Sequence, residues 1–376
     1  MDADPEKVSG KYTVREGTKS VSAYAFDDCN KLTGIDFPDS VVAIGDWAFS
    51  ALALESAVLP ARVKYVGEHA FWYAGFKELK IPANPVYIGE GAIDNENLTA
   101  ITVDENNAYF SSDKHGVLFN KDKIRLILYP AGNGRKTYTV PDGVTCIEAQ
   151  AFEDSLNLEK ITLPESVVCI GEEAFMGSGI KKINFPAGML AIGENAFRYC
   201  DRLKEIKAEE SKTSSVLSFT TDETGALFSG NGTVLVLLPD GLDIGRYEVS
   251  DETKIIKNGA FGYTYTGEVI IPESVEYIAE DAFWEVSAVR VDENNSCYAS
   301  DNVGVLYNKG GDELLYFPIG TEIKSYEIPN GVQHIAADTI WGKNLTDIYY
   351  SGTKESWETL AEHININDKI TVHYNS

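Results

Sequence analysis

The chain has 376 residues, 44% of them hydrophobic, and a formal net charge of −26. Such a charge excludes general affinity for nucleic acid, whose phosphates repel it, and favours a soluble, monomeric surface. No apolar run approaches the ~18 residues that a membrane-spanning helix needs, and the five cysteines do not form a disulfide framework.

Residues 1–20 read as an N-terminal cap, with 1–7 loose. Their acidic start, Met-Asp-Ala-Asp-Pro-Glu, holds no secretory signal. From residue 21 a phrase of the form Gly-x-x-Ala-Phe recurs. It reads Gly45 to Phe49, Gly67 to Phe71, Gly89 to Ile93, Gly171 to Phe175 and Gly193 to Phe197, with degenerate copies ending at Phe26, Phe152, Phe261, Phe283 and Ile340. These anchors lie 22 or 23 residues apart, except for gaps of 59, 64 and 57. A period in the twenties predicts a solenoid of stacked repeats.

Five residues before each anchor the column is apolar throughout, from Ile44, Val66 and Ile88 to Ile278 and Ile335. After each anchor comes a segment such as Leu158-x-x-Ile161-x-Leu163-Pro164. Its two last apolar residues are two apart, which predicts a short strand burying one face. The proline then stops the ladder, having no N–H to donate. Glu or Asp ahead of Ala-Phe predicts one short helical turn at each anchor. One repeat cannot bury its apolar face alone, so neighbours stack.

The repeats are thus expected over 21–102, 144–207 and 253–290. The long gaps, 103–143, 208–252 and 291–331, share a second unit. The first holds Gly116 to Asn120 and Leu126 to Pro130; the third holds Gly304 to Asn308 and Leu314 to Pro318. Two apolar runs around a turn-rich link predict a β-hairpin module that leaves the stack and rejoins it. Residues 332–376 read as the last repeat and a C-terminal cap: a strand over Leu345 to Tyr350, a helix over Trp357 to Ile364 and a strand over Lys369 to Tyr374. An atypical last unit covers the apolar end of a stack.

These motifs resemble the BspA-like (Treponema-type, type 5) leucine-rich repeat proteins. That family's unit is similar to Leu-x-x-Ile-x-Leu-Pro…Leu-x-x-Ile-Gly-x-x-Ala-Phe-x-x-Cys, including a trailing cysteine at Cys29 and Cys200, and Ile348 to Trp357 looks like its terminal unit. The resemblance implies an α/β, β-rich, right-handed leucine-rich-repeat solenoid with short strands on the concave side. It also implies a secreted or cell-surface protein, whose export signal is then not part of this chain, acting as a non-catalytic interaction or adhesion scaffold for an extracellular protein or glycan. A structural spacer within a larger surface protein is the first alternative. An extracellular enzyme acting on glycans or peptides is the second; two convergent carboxylates of shifted pKa in a deep pocket would favour it.

The residues add little chemistry. His69, His115, His334, His363 and His373 share no metal-ligand spacing, and no nucleophile elbow, phosphate loop or dinucleotide fingerprint is present. No cofactor and no metal is expected. The loops at 104–107 and 292–295, both Asp-Glu-Asn-Asn, read as turns rather than calcium ligands. Cys146 and Cys169 share a column in adjacent repeats; they read as two neighbouring thiols, with a disulfide as the alternative. Against the acidic background, the strands of the middle repeats carry Lys80, Lys160, Lys182 and Lys207. In a leucine-rich repeat horseshoe such outward positions line the concave face, where register gathers them into a basic stripe for an acidic protein or glycan. The plainer reading is strand lysine that discourages aggregation. Tyr109, Phe110 and Tyr298 form a second candidate patch, with core packing as the plainer reading for most of them.

Overall fold

The computed structural model describes residues 8–84, 87–209, 219–262, 266–336, 340, 342–364, 366 and 369–374. The expectation for residues 1–7 falls outside them, as does part of the second long gap. The chain divides into two compact units, Met1–Cys200 and Asp201–Ser376.

In the first unit the turns of the solenoid supply strands to two sets of parallel sheets. The two-residue strands Ser20–Val21, Ala43–Ile44, Tyr65–Val66 and Tyr87–Ile88 pair in parallel, with Val21, Ile44, Val66 and Ile88 in register. Ala57–Val58, Glu78–Ile81 and Ala100–Val103 form a second parallel sheet, and Thr137–Thr139, Lys160–Thr162 and Lys182–Phe185 belong to a further one. Between the sheets lie the anchors. Phe26, Phe49 and Phe71 stack at 4.7 and 5.1 Å, and Phe152, Phe175 and Phe197 at 4.9 and 5.1 Å. All six are buried, and each contributes roughly 1.5–3 kcal/mol of apolar burial.

The turns that carry Ala-Phe are not helical, contrary to the sequence expectation. The residue two before the anchor is left-handed: Tyr24, Trp47, His69, Gln150, Glu173 and Asn195 have φ between 51° and 57°. The residue two after it is often left-handed too, as at Ala51, Tyr73 and Asp154. A right-handed helix cannot run through such positions. Instead the N–H groups point along the stack. Trp47, Phe49 and Ala51 donate to the carbonyls of Glu68, Ala70 and Trp72 one repeat on, at 2.9, 2.8 and 2.7 Å. Acidic residues before Ala-Phe signalled a helix end, but contacts between rungs decided the backbone.

That close stacking explains the repeat's glycine. A Cβ at Gly171 would sit 2.4 Å from the backbone nitrogen of Ala149, and one at Gly89 would sit 2.6 Å from that of Glu68.

The first long gap does not leave the stack, which corrects the expected excursion. Phe110–Ser112, Leu118–Asn120 and Arg125–Leu128 run antiparallel, and the last then pairs in parallel with Cys146–Ile147. Tyr129 takes the anchor position: it is buried, stacks on Phe152 at 5.1 Å and donates its N–H to Ala151. The gap therefore contains a rung of its own.

The second unit repeats this plan. Leu227–Ser229 and Val234–Leu237 run antiparallel, and the latter continues in parallel into Ile255–Ile256 and Tyr277–Ile278. Glu313–Tyr316 likewise pairs with His334–Ile335. Leu238 and Phe317 are the buried anchors of these rungs. Near the C-terminus, Ser325–Glu327, Asp347–Tyr350 and Thr371–Tyr374 form a parallel sheet. The helix spans Lys354–Leu360, earlier than expected, because the Thr353 side chain caps it by accepting from the Ser356 N–H. Its buried face carries Trp357.

Cys146 and Cys169 form a disulfide, not the two thiols expected. Register explains it: the two cysteines are direct partners in adjacent parallel strands, with Cα atoms 4.8 Å apart, inside the range a disulfide spans. Cys29, Cys200 and Cys297 take no part in a disulfide.

Candidate functional site

The anchor side chains of the described rungs are buried, so the outward columns are what the solenoid offers to other molecules. Lys160 and Lys182 are direct partners on adjacent strands, both exposed. Thr137 precedes them in the same column. With Thr139 it lines a cleft of about 650 Å³ whose rim carries Lys114, His115, Lys123 and Arg135. Around the cleft, then, the surface is basic on a chain of net charge −26. Nearby, Lys136 and Lys181 hold Glu159 between them at 2.8 and 2.7 Å, and their hydrogen bonds pull its carboxyl down to about 2.

Lys80 is exposed on a separate sheet, beside Val58 and Thr102. Lys207 belongs to the second unit and pairs with Glu205 at 2.5 Å. The second unit has its own cleft, of about 470 Å³, lined in part by Arg246, Glu248, Glu268 and Arg290. There both arginines are paired, Arg246 with Glu248 at 2.9 Å and Arg290 with Glu268 at 3.0 Å, and Asp251 and Asp292 leave the lining acidic.

The sequence reading missed an aromatic row in the first unit. Tyr24, Trp47 and His69 occupy the left-handed position of three successive turns. Tyr24 stacks on Trp47 at 6.4 Å, Trp47 on His69 at 4.3 Å, and Trp72 lies 5.5 Å from Trp47. Tyr73 follows, 4.4 Å from Trp72. Tyr24 is 57% exposed and the others are half-buried. The signal was present two residues before each anchor, but a helical reading of the turn scatters those side chains.

Tyr73 leads into a carboxylate cluster. Its hydroxyl donates to Asp154 Oδ2 at 3.1 Å. Asp94 and Glu153 share a hydrogen bond, and both are held above the usual carboxylate range, by burial first and then by neighbouring negative charge. Neither described cleft contains this pair.

The Asp-Glu-Asn-Asn loops are built as turns. Asn107 donates to Pro82 O and accepts from the N–H groups of Tyr109 and Phe110; Asn295 does the same with Pro272, Cys297 and Tyr298. Lysine ammonium groups occupy the outer carbonyls: Lys121 donates to Glu105 O and Lys309 to Glu293 O. Phe110 and Tyr298 pack against the cores, whereas Tyr109 stays exposed. His373 bonds Asp347 at 2.7 Å, and His334 lies 3.8 Å from Glu313. Among the described residues, no three of His, Cys, Asp and Glu gather as metal ligands, and no helix is long and apolar enough to cross a membrane.

The family model described as the BspA type leucine rich repeat region matches six copies, over residues 10–115, 133–222 and 242–303. The chain belongs to the BspA-type leucine-rich repeat family. Among solved structures, this BspA-type chain is similar to a leucine-rich repeat protein from Eubacterium ventriosum, with 22% identity over 81% of this chain and 88% of that one and a TM-score of 0.58. At that identity the likeness shows the fold alone. A leucine-rich repeat protein from Bacteroides ovatus matches at 21% identity over 99% of this chain and 85% of that one, with a TM-score of 0.45. A leucine-rich cell surface protein from Faecalibacterium prausnitzii matches at 20% over 98% and 88%, with a TM-score of 0.46. No curated protein matches the chain.

Proposed function

We propose that this BspA-type solenoid is a secreted or cell-surface interaction protein without catalytic activity, gripping an acidic protein or glycan with the outward face of its rungs. The observation that carries the reading is Lys160 set opposite Lys182 beside a cleft rimmed by Lys114, Lys123 and Arg135. A basic surface on so acidic a chain runs against the overall charge, and concentrates positive potential where an anionic partner docks. Family membership supports the interaction role, and the disulfide on an outward column supports an oxidising, exported setting.

The test is a glycan and protein array read at two salt concentrations, with wild type beside a Lys160→Glu/Lys182→Glu/Arg135→Glu variant. An acidic partner whose signal falls at higher salt, and falls about tenfold in the variant, supports the reading. Partners bound equally by wild type and variant at both salts would sink it.

A further inference from the structure

The aromatic row has no role in either face of the basic cleft, and its placement runs against the local backbone. A left-handed residue other than glycine costs roughly 1–2 kcal/mol, and a bulky one there is an outlier. Elsewhere in the same column the chain places Gly91, Asn195 and Gly259, or the unbranched polar side chains of Gln150 and Glu173. In three consecutive turns it uses Tyr24, Trp47 and His69 instead. The core does not need them, because Phe26, Phe49 and Phe71 already fill it. Half-exposed tryptophan and tyrosine in contact with one another are the side chains that anchor protein interfaces.

Charge selects the partner. Asp46, Glu68 and Glu90 directly precede the column positions of Trp47, His69 and Gly91. At the far end Tyr73 opens onto Asp154, Asp94 and Glu153. Aromatic faces edged by carboxylates favour a cation that stacks. The chain contains that contact in miniature. On the Phe197 rung, the residues equivalent to Trp72 and Tyr73 are Arg198 and Tyr199, and the Arg198 guanidinium lies 4.8 Å over the Tyr199 ring.

We propose that the row Tyr24–Trp47–His69–Trp72–Tyr73 is a docking site for an arginine-bearing segment of a partner protein. Guanidinium groups stack on the indoles and pair with the flanking carboxylates. Burial first, and then like charge at the Tyr73 end, raise the Asp94 and Glu153 carboxyls, and a bound cation relieves the repulsion between them.

The probes are octa-arginine and octa-lysine, titrated calorimetrically into the full chain at 0.15 M salt. Coulomb attraction alone treats the two alike, whereas stacking favours the planar guanidinium. The expected result is octa-arginine binding about tenfold tighter than octa-lysine, with the preference lost in Trp47→Gly/Trp72→Ser. Trp47→Gly installs what the column already carries at Gly91, so the turn has a residue that suits it. Asp94→Asn/Asp154→Asn, which leaves the rings in place, weakens both peptides. Equal affinity for the two peptides, or an arginine preference that survives in the tryptophan variant, overturns the proposal. So does tighter binding of a neutral oligosaccharide lost in that variant, which assigns the row to glycans, or a dimer abolished by it, which assigns the row to a second copy. The lysine and arginine charge reversals of the basic cleft leave the preference for octa-arginine over octa-lysine unchanged, because added negative charge acts on both peptides alike, so the two readings fail separately.

Discussion

The Tyr138 hydroxyl donates to Asp113 Oδ2 at 2.8 Å, while Asp113 Oδ1 accepts the N–H groups of His115 and Val117. One aspartate thus closes the turn before a strand and clasps the next longer strand. The arrangement recurs at Tyr247–Asp222 and Tyr326–Asp301, each pair 25 residues apart. Burial and the aspartate charge push all three phenols up, so they stay neutral donors. Tyr138→Phe is expected to cost about 1 kcal/mol, the worth of one hydrogen bond. Asp113→Ala is expected to cost about 3 kcal/mol, because it strands two N–H groups and a half-buried hydroxyl. Urea unfolding of both variants checks this; equal losses would show that the turn contacts carry nothing.

The repeat glycine is a matter of distance. Gly171→Ala is expected to destabilise by roughly 2–3 kcal/mol, since its Cβ would meet the Ala149 backbone at 2.4 Å. Gly188→Ala has only a 3.7 Å neighbour and is expected to be neutral within about 0.5 kcal/mol. Thermal unfolding of the pair distinguishes spacing from general glycine loss.

The inward columns were legible because burial acts on each rung alike: isoleucine before the anchor and phenylalanine at it need no knowledge of the neighbour. What was missed depends on the neighbour. Tyr129, Leu238 and Phe317 each lie 23 residues before the next anchor, each followed by Pro-x-Gly. Aromatic or leucine side chains fill the same slot, but without Ala-Phe the phrase hid three rungs. The left-handed turns and the aromatic row could not be read from propensity, because bonds between rungs, not within the turn, set that backbone. Of the four candidate lysines, Lys160 and Lys182 share a column, as strand spacing suggests; the basic rim beside them comes from a gap segment whose path spacing alone does not give.

The disulfide closes a 23-residue separation, for which loop-closure entropy predicts roughly 3 kcal/mol. Cys146 and Cys169 are both partly exposed, so mild reductant reaches them. Dithiothreitol is expected to lower the unfolding midpoint of wild type to that of Cys146→Ser/Cys169→Ser, and to leave the variant where it stands. A midpoint indifferent to both changes would mean that the rungs hold that pair of strands without help.

Asp94 and Glu153 make a prediction about pH. Burial raises both first; the charge of Asp154 then adds to the shift of Asp94, and the charges of Asp94, Asp154 and Glu173 to that of Glu153. Raised acids bind protons more tightly in the folded chain than in the unfolded one, so folding is favoured at low pH and loses stability as pH climbs from the ordinary carboxylate range through the raised values. The groups facing them are Tyr73, Asp154 and Glu173, the last bonded to Gln150 at 3.1 Å; no cation is among the causes of either shift. Glu153→Gln keeps the shape of the side chain and removes one of the crowded charges. It is expected to stabilise the protein at pH 8 by about 1 kcal/mol, the solvent that reaches this half-buried group screening the rest. At pH 5, where the wild-type pair already carries its proton, the same change is expected to do little. Denaturant midpoints at the two pH values measure the difference, and a gain that is the same at both would remove charge from the explanation.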